Sequence, residues 1–255
     1  MSAQVQTKIS QLQKQLFPHI DRKAVPIDNE EFEKFWAESR HLPEPDQSYV
    51  KALAYAAKHD QGNALQWFNS ALTYDDSTIA MNYLAYLGRS AQNYLHRIET
   101  LRLEKFYGVP TIRRVARNAC FGVGDCRGVK VYSRKLAALR DGEDRKKILD
   151  EGDYMCNIID NFKRATSFSS NDIEELNKLA EGIANQHGVA CYEVNYFIGG
   201  EGDNAYILGA NTDDIDLITD MNIELACAMT DEKYIGKPVT SWFRSTMYEE
   251  AANER

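Results

Sequence analysis

Apolar residues recur at intervals of three and four along the first two thirds of the chain, the repeat that gathers them on one face of an α-helix. Val5, Ile9, Leu12 and Leu16 form the first such stripe, over residues 3–17. It spans only two heptads, too short for a coiled coil, and so predicts a helix packed on its own domain. Residues 18–28 (PHIDRKAVPID) hold two prolines and predict a connector. Asp28 or Asn29 can cap a helix over 30–40 by accepting hydrogen bonds from free backbone amides, with Phe32, Phe35 and Trp36 on its buried face. HLPEPD, 41–46, is a second break. Beyond it the same spacing predicts helices over 47–59, 62–74, 77–94, 95–107, 110–120, 127–140 and 143–165. Their short Gly- or Asp-bearing connections favour antiparallel neighbours.

The period changes near residue 166. TSFSSND reads as a polar loop that starts a helix over 171–186. Ala190, Tyr192, Val194, Tyr196 and Ile198 then alternate with period two, which predicts a strand. GGEGDN is a turn and AYILG a return strand. Thr212 or Asp213 caps a helix over 213–229, and a last helix over 240–253 carries Trp242, Phe243 and Met247. Two strands do not make a self-sufficient sheet, so a further strand, as in 233–239, or docking on the helices must complete it. The predicted class is mainly α with a small α+β C-terminal part. Antiparallel helical hairpins fill 1–165, and an acidic α–β–β–α–α unit fills 166–255.

One segment carries a finer pattern. In SYVKALAYAAKHDQGNALQWFNSALTYDD, residues 48–76, Ala52, Tyr55, Ala64, Phe68 and Ala71 are spaced by 3, 9, 4 and 3. Small residues let two antiparallel helices approach, and aromatics fill the space between them. This resembles one tetratricopeptide repeat, a helix–turn–helix unit of about 34 residues. Ser48 and Lys51 stand where that family has a large aromatic and a leucine, and Asp76 where it has a proline. A second copy would need small residues and an aromatic where Tyr86, Ile98 and Arg102 stand, so the resemblance covers one unit. It implies a scaffold that binds peptides or partner proteins on a concave face.

Composition narrows the class without naming a function. Of 255 residues, 44 % are hydrophobic and 27 % charged, as in ordinary globular chains. No apolar run reaches the roughly 18 residues of a membrane span. The start, MSAQVQTKIS, lacks a signal-peptide pattern. Five scattered cysteines predict reduced thiols in a cytoplasmic protein.

The net charge of −8 is unevenly spread. Residues 97–147 carry 14 basic and 6 acidic side chains, whereas 148–255 carry 7 basic and 21 acidic. Within TIRRVARNACFGVGDCRGVKVYSRKLAALR, Arg113, Arg114 and Arg117 lie opposite the apolar face of one helix, and Arg127, Lys130 and Arg134 form a stripe on the next. Guanidinium groups pair bidentately with phosphate oxygens, so these six residues are the candidate partner- or phosphate-binding set. The alternative is a solvated face, or one paired with the acidic C-terminal region. The acidic chain as a whole disfavours unassisted nucleic-acid binding.

Other motifs carry less. FGVGDCRG follows a predicted helix, not a strand, and reads as a helix–helix turn rather than a phosphate loop. Asp216 and Asp220 are one turn apart but have no further metal ligands nearby, and helix-dipole placement explains them. His187 and Cys191 suggest a nucleophilic pair only if a helix end and a strand start bring them together. The expected function is a non-enzymatic adaptor, chaperone or regulator that binds another protein, with no cofactor and no metal. The alternatives are a nucleic-acid-associated regulator (or an acidic nucleic-acid mimic) and an enzyme with its site in the α+β unit.

Overall fold

A computed structural model describes residues 3–247. The chain divides into two compact units, Met1–Ser90 and Ala91–Arg255.

The first unit is five α-helices: α1 (Ala3–Leu16), α2 (Asn29–Ser39), α3 (Asp46–Ala57), α4 (Gln61–Ala71) and α5 (Ser77–Arg89). Ile9, Leu12 and Leu16 are buried as their spacing predicts, while the side chain of Val5 lies outside the described residues. Aspartates start three of the helices. Asp28 accepts from the Glu31 amide at 2.8 Å, Asp60 from Asn63 at 3.1 Å and Asp76 from Thr78 at 2.7 Å. Left-handed His59 (φ 60°) and Asp75 (φ 54°) turn the chain at the ends of α3 and α4. In the α3–α4 hairpin Ala52, Ala64, Phe68 and Ala71 are completely buried. The Phe68 ring lies 5.2 Å from Tyr83 and 5.3 Å from Tyr86, both on α5. All three departures from the repeat pattern have a local use: Asp76 caps α5. The Ser48 hydroxyl meets that of Ser70 at 3.3 Å across the hairpin, which suits close approach. The Lys51 ammonium sits 4.7 Å from the Trp36 ring and 4.3 Å from the Trp67 ring, a cation held by aromatic faces.

The second unit holds α6 (Asn93–Leu103), α7 (Pro110–Gly122), α8 (Cys126–Ala137), α9 (Gly142–Thr166), α10 (Ser170–Gln186) and α11 (Ile215–Ala228). Its three strands are β1 (Cys191–Ile198), β2 (Asn204–Ala210) and β3 (Thr240–Ser245). The helix expected over 77–94 stops at Arg89, and Ala91 adopts φ 54°, which breaks it. TSFSSND lies inside this unit. Phe168 is buried against Phe162, and Ser169 and Asp172 close a reciprocal capping box that starts α10.

The sheet order is β1–β2–β3, with β2 antiparallel to β1 and parallel to β3. Val194, Tyr196, Tyr206, Leu208 and Phe243 share its inner face, packed against α7, α9, α10 and α11. The helix expected over 240–253 is corrected here. Residues 240–245 form the third strand, and 248–255 lie outside the described residues. Ser241 and Phe243 are buried while Trp242 is 37 % exposed, the alternation of a strand. No strand forms in 233–239. Asp214, rather than Thr212 or Asp213, caps α11, accepting from the Leu217 amide at 3.1 Å.

Candidate interaction surface

The basic segment forms α7 and α8, which pack with α9 as a close helical layer. Pro110 opens α7, where the missing amide costs nothing. Asp125 caps α8, accepting from the Gly128 amide at 2.9 Å. Glycines set the spacing. A Cβ on Gly128 would stand 3.0 Å from the Cys120 Cβ, and one on Gly152 would stand 2.7 Å from the Ser133 Cβ. Cys126 and Cys156 form a disulfide between α8 and α9, with Cα atoms 5.1 Å apart. This corrects the expectation that all five cysteines are reduced. A separation of 30 residues is no motif, and only helix packing brings the two sulfurs together.

The six candidate cations divide into two sets. Arg113, Arg117 and Lys130 face carboxylates. Arg113 Nε donates to Glu104 at 3.3 Å, Arg117 Nη1 to Glu151 at 3.3 Å, and Lys130 lies 4.0 Å from Asp153. Glu104 is almost fully buried and also accepts from the Lys135 ammonium at 2.8 Å, so one carboxylate ties α7 and α8 to the end of α6. Arg114, Arg127 and Arg134 are exposed, and among the described residues none has a carboxylate within 4.0 Å. Lys135, Glu104 and Glu151 did not stand out in the sequence because their partners come from other helices.

A buried polar network between α6, α10 and the sheet was equally hidden. Arg97 grips Glu181 with two parallel hydrogen bonds of 3.0 Å. Burial alone would push the Arg97 guanidinium down, but the hydrogen bonds and charge of Glu181 outweigh it and hold it raised. Asn93 Nδ2 donates to Asn185 Oδ1 at 2.9 Å and to the Val189 carbonyl at 2.8 Å, while its Oδ1 accepts from the Cys191 amide at 2.8 Å. The Tyr206 hydroxyl donates to Asn177 Oδ1 at 2.6 Å, and the Tyr196 hydroxyl to the Phe121 carbonyl at 2.6 Å.

Among the described residues no hydrogen bond joins the suggested catalytic groups, His187 and Cys191. His187 Nε2 meets Glu224 Oε1 at 2.8 Å on the surface, while the Cys191 amide is held by Asn93. Burial, helped by the charge of Glu181, pushes the Cys191 thiol up to about 12, opposite to what a nucleophile needs. Cys120 is likewise pushed up to about 12, first by burial and then by Asp125. Among the described residues no His, Cys, Asp and Glu side chains form a group suited to a metal ion, and no helix is long and apolar enough to cross a membrane. No family model, curated protein or solved structure matches the chain.

Proposed function

We propose that this protein is a non-enzymatic adaptor or regulator that recognises another protein through its first unit. The supporting observation is the tetratricopeptide-like α3–α4 hairpin, which forms a scaffold with α2 and α5, and the groove beside it. That groove, between α1 and α2, has a volume of about 320 Å³. Ile27 and Phe35 form a buried floor, and Gln15, Glu31 and Lys34 an exposed rim. An apolar floor with a polar rim suits a short peptide segment that inserts one or two side chains. Affinity capture from the native host should return a stoichiometric protein that survives nuclease treatment. Reversing the rim with Glu31→Lys and Lys34→Glu should cut its recovery several-fold. Recovery of free monomer alone, over repeated captures, counts against this reading.

The nucleic-acid reading is weaker for a physical reason. Three of its six cations already face carboxylates of the same unit. Its remaining contacts are Arg114, Arg127 and Arg134, so Arg127→Glu with Arg134→Glu is the decisive variant. Low-salt binding to labelled DNA or RNA that this pair of changes removes would favour it.

A further inference from the structure

We infer that the protein self-associates head to tail, the α11 face of one copy docking on the α8 face of the next. On α11, Ile215, Thr219 and Ile223 form an outward row at intervals of four, with Ile215 67 % and Ile223 57 % exposed. Asp216, Asp220 and Glu224 run beside it in a parallel row. The helix dipole accounts for Asp216 in the first turn, but not for Asp220 or for the isoleucines. Like charges one turn apart repel, and among the described residues neither Asp216 nor Asp220 has a basic side chain within 4.0 Å.

The complement lies on the same unit. Arg127, Lys130 and Arg134 form an exposed basic row on α8, with Val131 exposed beside it and Leu139 just past its end. Of the three, among the described residues, Lys130 alone has a carboxylate, Asp153, at 4.0 Å, and both of those side chains are largely in solvent. An apolar row edged by carboxylates thus faces two exposed apolar side chains, Val131 and Leu139, edged by cations, over helices of 14 and 12 residues. That is about 20 Å of contact. Two different faces make a heterologous contact, which builds rings or open chains rather than two-fold dimers. This inference is independent of the groove between α1 and α2, whose partner capture it leaves unchanged.

The test is sedimentation velocity of the full chain over a concentration series. The wild type should associate reversibly, and raising salt from about 0.05 M to about 0.5 M should weaken it about tenfold. Asp216→Lys with Asp220→Lys should be monomeric, and so should Lys130→Glu with Arg134→Glu. All four positions are solvent-facing, and circular dichroism checks that both variants fold. Mixing the two variants should restore association, because each then presents a face opposite in charge to its neighbour. The inference is overturned if the wild type stays monomeric throughout. It is equally overturned if either variant still associates, or if the mixture does not.

Discussion

The two units bury a cation in opposite ways. In the first, Lys51 lies over the rings of Trp36 and Trp67 and donates to the Gln47 carbonyl oxygen at 3.4 Å. In the second, Arg97 is fixed bidentately by Glu181 deep between α6 and α10. Aromatic faces ask little of geometry and leave no orphan when the charge is removed. A buried ion pair is different: either partner left alone is an uncompensated charge in a poor solvent. The first unit is therefore a core of shapes, and the second a core of obligations between distant polar groups.

Removing Glu181 gives the largest test of that contrast. Glu181→Ala removes the bidentate partner of Arg97, leaving it the half-exposed Glu174 at 3.8 Å, and should destabilise the second unit by about 3–5 kcal/mol, read by urea unfolding with far-ultraviolet circular dichroism. Arg97→Met with Glu181→Leu should recover most of the loss, and failure to do so would mean that the pair is not the source. Next comes the α8–α9 link. Cys126→Ser opens a loop whose ends are 30 residues apart and should cost about 2–4 kcal/mol under oxidising conditions, with no effect once the wild type is reduced. A smaller effect belongs to the start of α10, where Ser169→Ala should cost about 1 kcal/mol.

The same cap has a pH signature. The Ser169 amide, then its hydroxyl and Lys237, hold the Asp172 carboxyl below its ordinary value of 3.8. That stabilisation is present above 3.8 and is lost as pH falls through the lower folded value. The stability gap between wild type and Asp172→Asn should therefore close on acidification, and a gap independent of pH would exclude the cap as its cause. The smallest effect should come from Lys51→Met, which keeps the stem between the indoles and should change stability by no more than about 1 kcal/mol. Fluorescence of Trp36 and Trp67 reports it directly. A loss as large as that of Glu181→Ala would erase the distinction between the units.

The same contrast decides what could be read from the sequence. In the first unit the information is local. Ala64, Phe68 and Ala71 mark one helix face by spacing alone, and all three are buried. In the second unit the helices were legible, but β3 was not. Its identity depends on lying beside β2, where Leu208 pairs with Phe243, and nothing within TSWFRS states that register. The cations of α7 and α8 were visible as a charged stretch, and the sequence allowed pairing with the acidic region. Which of them pair depends on Glu104, Glu151 and Asp153 arriving from other helices, so Arg113 and Arg114, adjacent in sequence, end in different environments.

Asn93 sets an order of assembly. Its side chain binds the Val189 carbonyl and the Cys191 amide, 96 and 98 positions away. In the first unit the His59 ring bonds to the His19 carbonyl across 40 positions. Loop-closure entropy must be met before distant contacts give any return, so short-range structure forms sooner. The helices of the first unit can settle while α6 still waits for α10 and β1 to reach it. During that interval Asn93 and Arg97 lack the partners that α10 and β1 supply, and a nascent chain is most open to capture by chaperones or to misassociation at that stage.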